Sequence, residues 1–126
     1  MKIYVAVGLG GIFGSLLRYG ITIIFTHIEY TNFPLATLIV NMSGAFLLTF
    51  LLYHPRIRVK LDETILIGLT TGLIGSYTTF SAITVEIVTL ASENIGLAIL
   101  YAGITIILGL WSSLLGFKAA KAGAST

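Results

Sequence analysis

The sequence of 126 residues predicts an all-α membrane protein, a four-transmembrane-helix bundle with a broken third helix. Three observations predict it. The chain is 56% hydrophobic and 10% charged, with a mean hydropathy of +1.02, too little charge to cover a soluble domain of this size. Four apolar segments, Ile3–Phe25, Pro34–Tyr53, Thr64–Leu90 and Ile95–Phe117, each reach the roughly 20 residues that a spanning helix needs. The third of them carries the run Gly68 to Glu86, which sets five threonines, two serines and a tyrosine among its glycines. A plain lipid-facing helix would hold Leu, Ile and Val there. The links are short, so residues 1–126 form one integral-membrane domain without soluble parts.

The first segment places Gly10, Gly11, Gly14 and Ser15 ahead of Arg18 and Tyr19. Small residues at this spacing let helices approach closely. Arg18 lies about two turns from the far end of the helix. It either snorkels to the interface or lines a positive vestibule that attracts anions, and position alone leaves both open. The run is too long for a cleaved signal peptide and carries an arginine, so it is expected to be a true span.

In the second segment Thr37 and Asn41 stand at i and i+4, on one face, with Gly44 nearby. An amide inside the membrane must find a partner. It can glue helices together or offer N–H groups to an anion.

In the third segment Gly72, Gly75 and Ser76, then Thr78 and Thr79, form a run that lets a helix unwind and frees carbonyls near Gly75 and Thr78. Unwound backbone at membrane depth is tolerated where protein buries it or it lines a cavity. Such carbonyls suit a hard cation. Phe80 follows closely, either as packing or with the positive edge of its ring toward a dehydrated anion. Glu86, nearly two turns on, is either a headgroup-level anchor or a functional carboxylate in the membrane.

The fourth segment carries Tyr101, Thr105, Gly109 and Ser113 at successive i+4 steps, with Ser112 alongside. This polar stripe reads as the wall of a pore or as helix–helix hydrogen bonding.

Charge sets the orientation. One side of a four-span protein holds Lys2, Arg56, Arg58, Lys60, Lys118 and Lys121, whereas the opposite links, His27–Asn32 and Ser92–Asn94, hold no Lys or Arg. Acidic residues count little in this rule, so both termini are expected in the cytoplasm. Four helices leave little room for two inverted halves in one chain, so a channel this small is expected to work as an oligomer.

Several classes are excluded. The chain has no cysteine, and neither His27 nor His54 has a companion at metal-ligand spacing. There is no nucleophile–base pair or paired carboxylate in the bundle, so no enzyme is expected. A net charge of +2 without a basic aromatic patch gives no sign of nucleic-acid binding.

Taken together, the motifs resemble the CrcB/Fluc family of fluoride channels over nearly the whole chain. Gly10-Gly11 to Gly14 with Arg18-Tyr19 resembles the family's first motif, and Pro34 to Asn41 with Gly44 and Phe46 its second, with Ala36 where glycine is usual. Gly75 with Thr78-Thr79-Phe80-Ser81 is similar to the third. The resemblance implies a plasma-membrane channel of bacterial type that passively exports fluoride and so lowers its toxicity. It also implies an antiparallel dimer with two narrow pores and a structural sodium ion at the two-fold axis. By position, Asn41 would donate to fluoride and Phe80 would present its ring edge, with Thr37, Ser81 and Ser113 supplying hydroxyls and Thr105 in the same polar stripe. Gly75 and Thr78 would give carbonyls to sodium, and Arg18 and Glu86 would lie near the vestibules.

The sequence departs from the family where threonine and a second phenylalanine are usual, with Ala82 and Ile83 in their place, and Ser76 replaces a glycine. One hydroxyl and one polarised ring edge are therefore missing from the anion track. Six basic residues on one side against none on the other also favour a single orientation. The expected partner is then an oppositely oriented paralogue in a heterodimer, ahead of a homodimer. Two other readings are a small multidrug exporter and a non-conducting accessory subunit. The exporter needs a glutamate in its first helix, where this chain has Arg18 and no acid. The accessory subunit would use its polar residues only as glue.

Overall fold

In the computed structural model, which describes residues 1–28 and 33–123, the chain is helical throughout apart from short links. Helix α1 spans Lys2–Ile28, α2 Leu35–Tyr53, α3 Pro55–Lys60, α4 Glu63–Ile67, α5 Gly75–Tyr77, α6 Phe80–Glu93 and α7 Ile95–Ala122. A π-helical stretch, Gly68–Ile74, joins α4 to α5. Among the described residues, four stretches are long and apolar enough to cross a membrane: Lys2–Thr26, Leu35–Tyr53, Glu63–Glu93 and Ile95–Ala122. The protein is thus a multi-pass membrane protein, and four spans return the chain to the side on which it began. The first outer link, His27–Asn32, lies largely outside the described residues.

Caps and breakers set the boundaries. The Asp62 carboxylate accepts from the Thr64 N–H at 2.8 Å and starts the third span. Asn94 starts α7 by accepting from the Leu97 N–H at 3.1 Å. Pro55 at the head of α3 ends α2 and pre-sets the next turn. The second link therefore holds a short helix.

The third span is broken, but not at its glycines. Gly75 keeps helical dihedrals (φ −61°, ψ −32°), and the chain becomes extended only at Thr78 (−75°, 157°) and Thr79 (−148°, 127°). Gly72, with Gly10 and Gly14 of α1, serves close approach instead, whereas a Cβ on Gly75 would meet nothing nearer than 3.9 Å. A Cβ on Gly14 would collide with the Leu73 carbonyl, and one on Gly72 would come within 2.5 Å of the Val7 carbonyl. Backbone thus packs on backbone where α1 crosses the π-helical stretch. On the other side α2 lies along α7, where Gly116 abuts the Phe46 carbonyl and Thr49. A buried cluster of Leu90, Ala98 and Tyr101 joins α6 to α7, with the Phe33 ring edge-on to Tyr101 at 5.5 Å. Most remaining large apolar side chains, Trp111 and Leu114 among them, face outward, as a bundle in lipid requires.

Candidate functional site: the break in the third span

Two residues at the break have left the helix, so their backbone groups need partners inside the membrane. Asn41 provides those of Thr79, while the Thr78 N–H still bonds the Ile74 carbonyl at 2.9 Å. The Asn41 Oδ1 accepts from the Thr79 N–H at 2.8 Å, and its Nδ2 donates to the Thr79 carbonyl at 3.0 Å. The Thr79 N–H is the group that would otherwise close the helical bond to the Gly75 carbonyl. Two neighbours of Asn41 complete the splint. Gly44 leaves space for the Thr78 methyl group, and the Ser43 hydroxyl lies 2.7 Å from the Tyr77 hydroxyl. Thr79 also caps α6, its hydroxyl accepting from the Ala82 N–H at 3.2 Å, and it lies 3.2 Å from the Ser81 hydroxyl.

The splinted break opens onto a cavity of about 370 Å³. Asn41, Gly75, Thr78, Phe80, Ile83 and Thr105 line it. Phe80, the first residue of α6, is 82% exposed, so its ring contributes little to the packing of this subunit. The Thr105 hydroxyl is buried and has no hydrogen-bond partner among the described residues. Such an orphan is costly in an apolar setting.

A second cavity, of about 270 Å³, lies behind Thr79 and brings Arg18 and Glu86 together with Thr37, Ser15 and Thr22. Both oxygens of the Glu86 carboxylate are engaged. The Thr37 hydroxyl donates to Oε1 at 2.5 Å, and the Tyr101 hydroxyl donates to Oε2 at 2.6 Å. Glu86 is thereby fixed as an acceptor facing the same space as the Arg18 guanidinium. This clamp unites three helices through residues 15 and 49 positions apart, which no local spacing signals.

The structure therefore gathers Asn41, Phe80, Thr105, Gly75 and Thr78 around one cavity, and Thr37, Arg18 and Glu86 around another. Thr79 borders both. Ser81 and Ser113 line neither. Ser81 is exposed beside Thr79, and the Ser113 carbonyl lies 3.0 Å from the Thr49 hydroxyl of α2. Sequence reasoning gave Thr79 no role of its own. Its signal was that of an N-cap, a threonine three residues before the first bonded amide of α6. Among the described residues no cluster of three or more His, Cys, Asp or Glu side chains could hold a metal ion.

Comparison with known proteins identifies the family. The family described as CrcB-like protein, Camphor Resistance (CrcB), matches residues 5–117. The chain is 40% identical over 116 residues to "Fluoride-specific ion channel FluC 1" of Bacillus thuringiensis subsp. konkukian, covering 91% of this chain and 85% of that one. It is 37% identical over 120 residues to "Fluoride-specific ion channel FluC 2" of Geobacillus kaustophilus, covering 94% and 93%. To "Fluoride-specific ion channel FluC" of Thermosipho melanesiensis it is 32% identical over 114 residues, covering 90% and 91%. These names are those of channels and not of enzymes. A match over almost the whole chain, with all four spans inside it or overlapping it, shows that the chain belongs to the CrcB-like family of membrane channels.

Proposed function

We propose that the protein is a subunit of a fluoride-specific channel that exports fluoride passively from the cytoplasm. The observation that carries the reading is the splinted break. Asn41 spends one N–H on Thr79 and keeps a second, and it lines the same cavity as the exposed Phe80 ring and Thr105. An amide N–H, a polarised ring edge and a hydroxyl are donors that together replace water around a small hard anion. A negative interior would drive each fluoride outward by about 2.3 kcal/mol per 100 mV. The relatives' description as fluoride-specific channels supports fluoride as the ion.

The functional unit in this proposal is an inverted dimer with a structural sodium ion on carbonyls of Gly75 and Thr78. Two features support it. The Thr79 N–H is turned away from the Gly75 carbonyl, and no donor among the described residues bonds the Thr78 carbonyl. Gly75 is itself exposed on the side of the cavity. The charge bias of the loops favours an oppositely oriented paralogue as partner. With Ala82 and Ile83 on this chain, the partner would preserve one complete pore.

Fluoride efflux tests the proposal. Liposomes loaded with potassium fluoride and triggered with valinomycin should release fluoride, without matching chloride, when they hold this chain together with an oppositely oriented relative. Release by this chain alone would establish a homodimer. Silence from both preparations would leave the polar residues as helix glue and favour the accessory subunit.

A further inference from the structure

The short helix α3 has no buried residue, yet it is well formed in the link between the second and third spans. Six residues do not hold a helix in water by themselves. One of its faces carries Pro55, Arg56, Val59 and Lys60, which border a shallow hollow of about 240 Å³. Val59 stands 86% exposed there, between two cations set at i and i+4. Among the described residues the Arg56, Arg58 and Lys60 side chains have no ion pair and no ring contact. A second apolar hollow at the same end of the bundle is lined by Met1, Lys2, Val5, Ala6 and Leu9. Lys118 and Lys121 end α7 on that side too, and the only acids near by in sequence are Asp62 and Glu63.

We infer that α3 is a binding site for anionic phospholipid. The hollow at Val59 takes the upper acyl chain, and Arg56 and Lys60 take the phosphate. Apolar surface rimmed by unpaired cations, at the height where spans meet water, complements an amphiphile with a negative headgroup. A zwitterionic headgroup carries its own cation and gains little from the same rim. An acidic protein segment would match the charge, but it would leave the apolar hollow exposed. The site is independent of the ion carried, so a chain that passed no fluoride would still show it.

The full chain in detergent tests this. Added dioleoyl-phosphatidylglycerol should raise the melting midpoint, whereas the phosphatidylcholine analogue should not. The double variant Arg56→Gln/Lys60→Gln should need roughly tenfold more phosphatidylglycerol for half the effect. The sequence has no cysteine, so Val59→Cys can carry a single polarity-sensitive dye whose emission should shift to the blue over the same lipid range. Equal stabilisation by phosphatidylcholine or by inorganic phosphate would overturn the inference. So would an unchanged half-point in the double variant, or a dye that ignores the lipid. The dye reading keeps both native cations and decides the matter if the double variant does not fold.

Discussion

Asn41 and Thr79 exchange two hydrogen bonds, at 2.8 and 3.0 Å, so that one side-chain amide stands in for the peptide group that the broken helix has lost. A glutamine would reach too far and a serine has no second atom. The amide of asparagine has both the donor and the acceptor that a backbone unit offers. The break in the third span is therefore a defined structure held from the second.

Removing this splint should be expensive. Asn41→Ala leaves the Thr79 N–H and carbonyl without partners at membrane depth. We expect a loss of about 2 kcal/mol of stability, from two interhelical bonds of roughly 1 kcal/mol each. Asn41→Asp keeps the acceptor but turns a second oxygen toward the Thr79 carbonyl, and should be no better. Unfolding in mixed micelles, monitored by the far-ultraviolet helix signal, measures both.

The glycines divide into two groups that one substitution separates. Gly14→Ala drives a methyl group into the Leu73 carbonyl of the third span, whereas a Cβ on Gly8 or Gly20 meets nothing within 4 Å. Gly14→Ala should cost about 1–3 kcal/mol. Gly8→Ala and Gly20→Ala should be neutral or stabilising by up to about 1 kcal/mol, from helix propensity. The same micelle titration compares all three.

The glycine case shows what was legible in the sequence. Four spans were visible because length and hydropathy carry that information locally, and Thr37 and Asn41 were visible as one face because i and i+4 always share one. The run around Gly72 and Gly75 signalled a special stretch correctly. It did not say whether glycine was needed for unwinding or for contact, since both demand the absence of a side chain. The backbone of α1 against Gly72 decides for contact there, Gly75 meets nothing nearer than 3.9 Å, and the unwinding falls to Thr78 and Thr79. The Glu86 clamp was not legible, because Thr37, Glu86 and Tyr101 meet only when three helices have packed. Nor was α3, whose apolar residues are too few to show a period.

Glu86 and Tyr101 should be energetically coupled. Tyr101→Phe removes one donor from the carboxylate, and Glu86→Gln replaces one of its two acceptor oxygens with a donor group. In a double-mutant cycle the pair should show a coupling of about 1 kcal/mol. Additive single effects would mean that the bond carries no net energy.

Thr105 separates stability from function. Its buried hydroxyl has no partner among the described residues, so Thr105→Val should leave the protein as stable or more stable. If that hydroxyl serves a passing anion, the same change should slow fluoride efflux. Melting midpoint and efflux rate, read on one preparation, should move in opposite directions or the rate alone should fall.

Asp62 gives a dependence on pH outside the membrane. The Thr64 N–H holds its carboxyl below the usual carboxylate range. A lowered folded-state pKa contributes stability that is complete above the unfolded value of about 3.9 and is lost as pH falls through the folded value. The wild-type melting midpoint should thus be insensitive to this group near neutrality and should fall at acid pH. Asp62→Ala should lower the midpoint near neutrality and remove its share of the acid dependence.

The most direct test of the proposed site is fluoride efflux from liposomes by a preparation in which Phe80 is replaced by isoleucine. Phe80 is 82% exposed in this subunit, so Phe80→Ile should leave folding and melting midpoint of the subunit unchanged. Without a ring edge beside Asn41, fluoride release should fall at least tenfold against the wild-type preparation, at equal protein incorporation. Undiminished release by the variant would contradict the placement of the fluoride path at the splinted break.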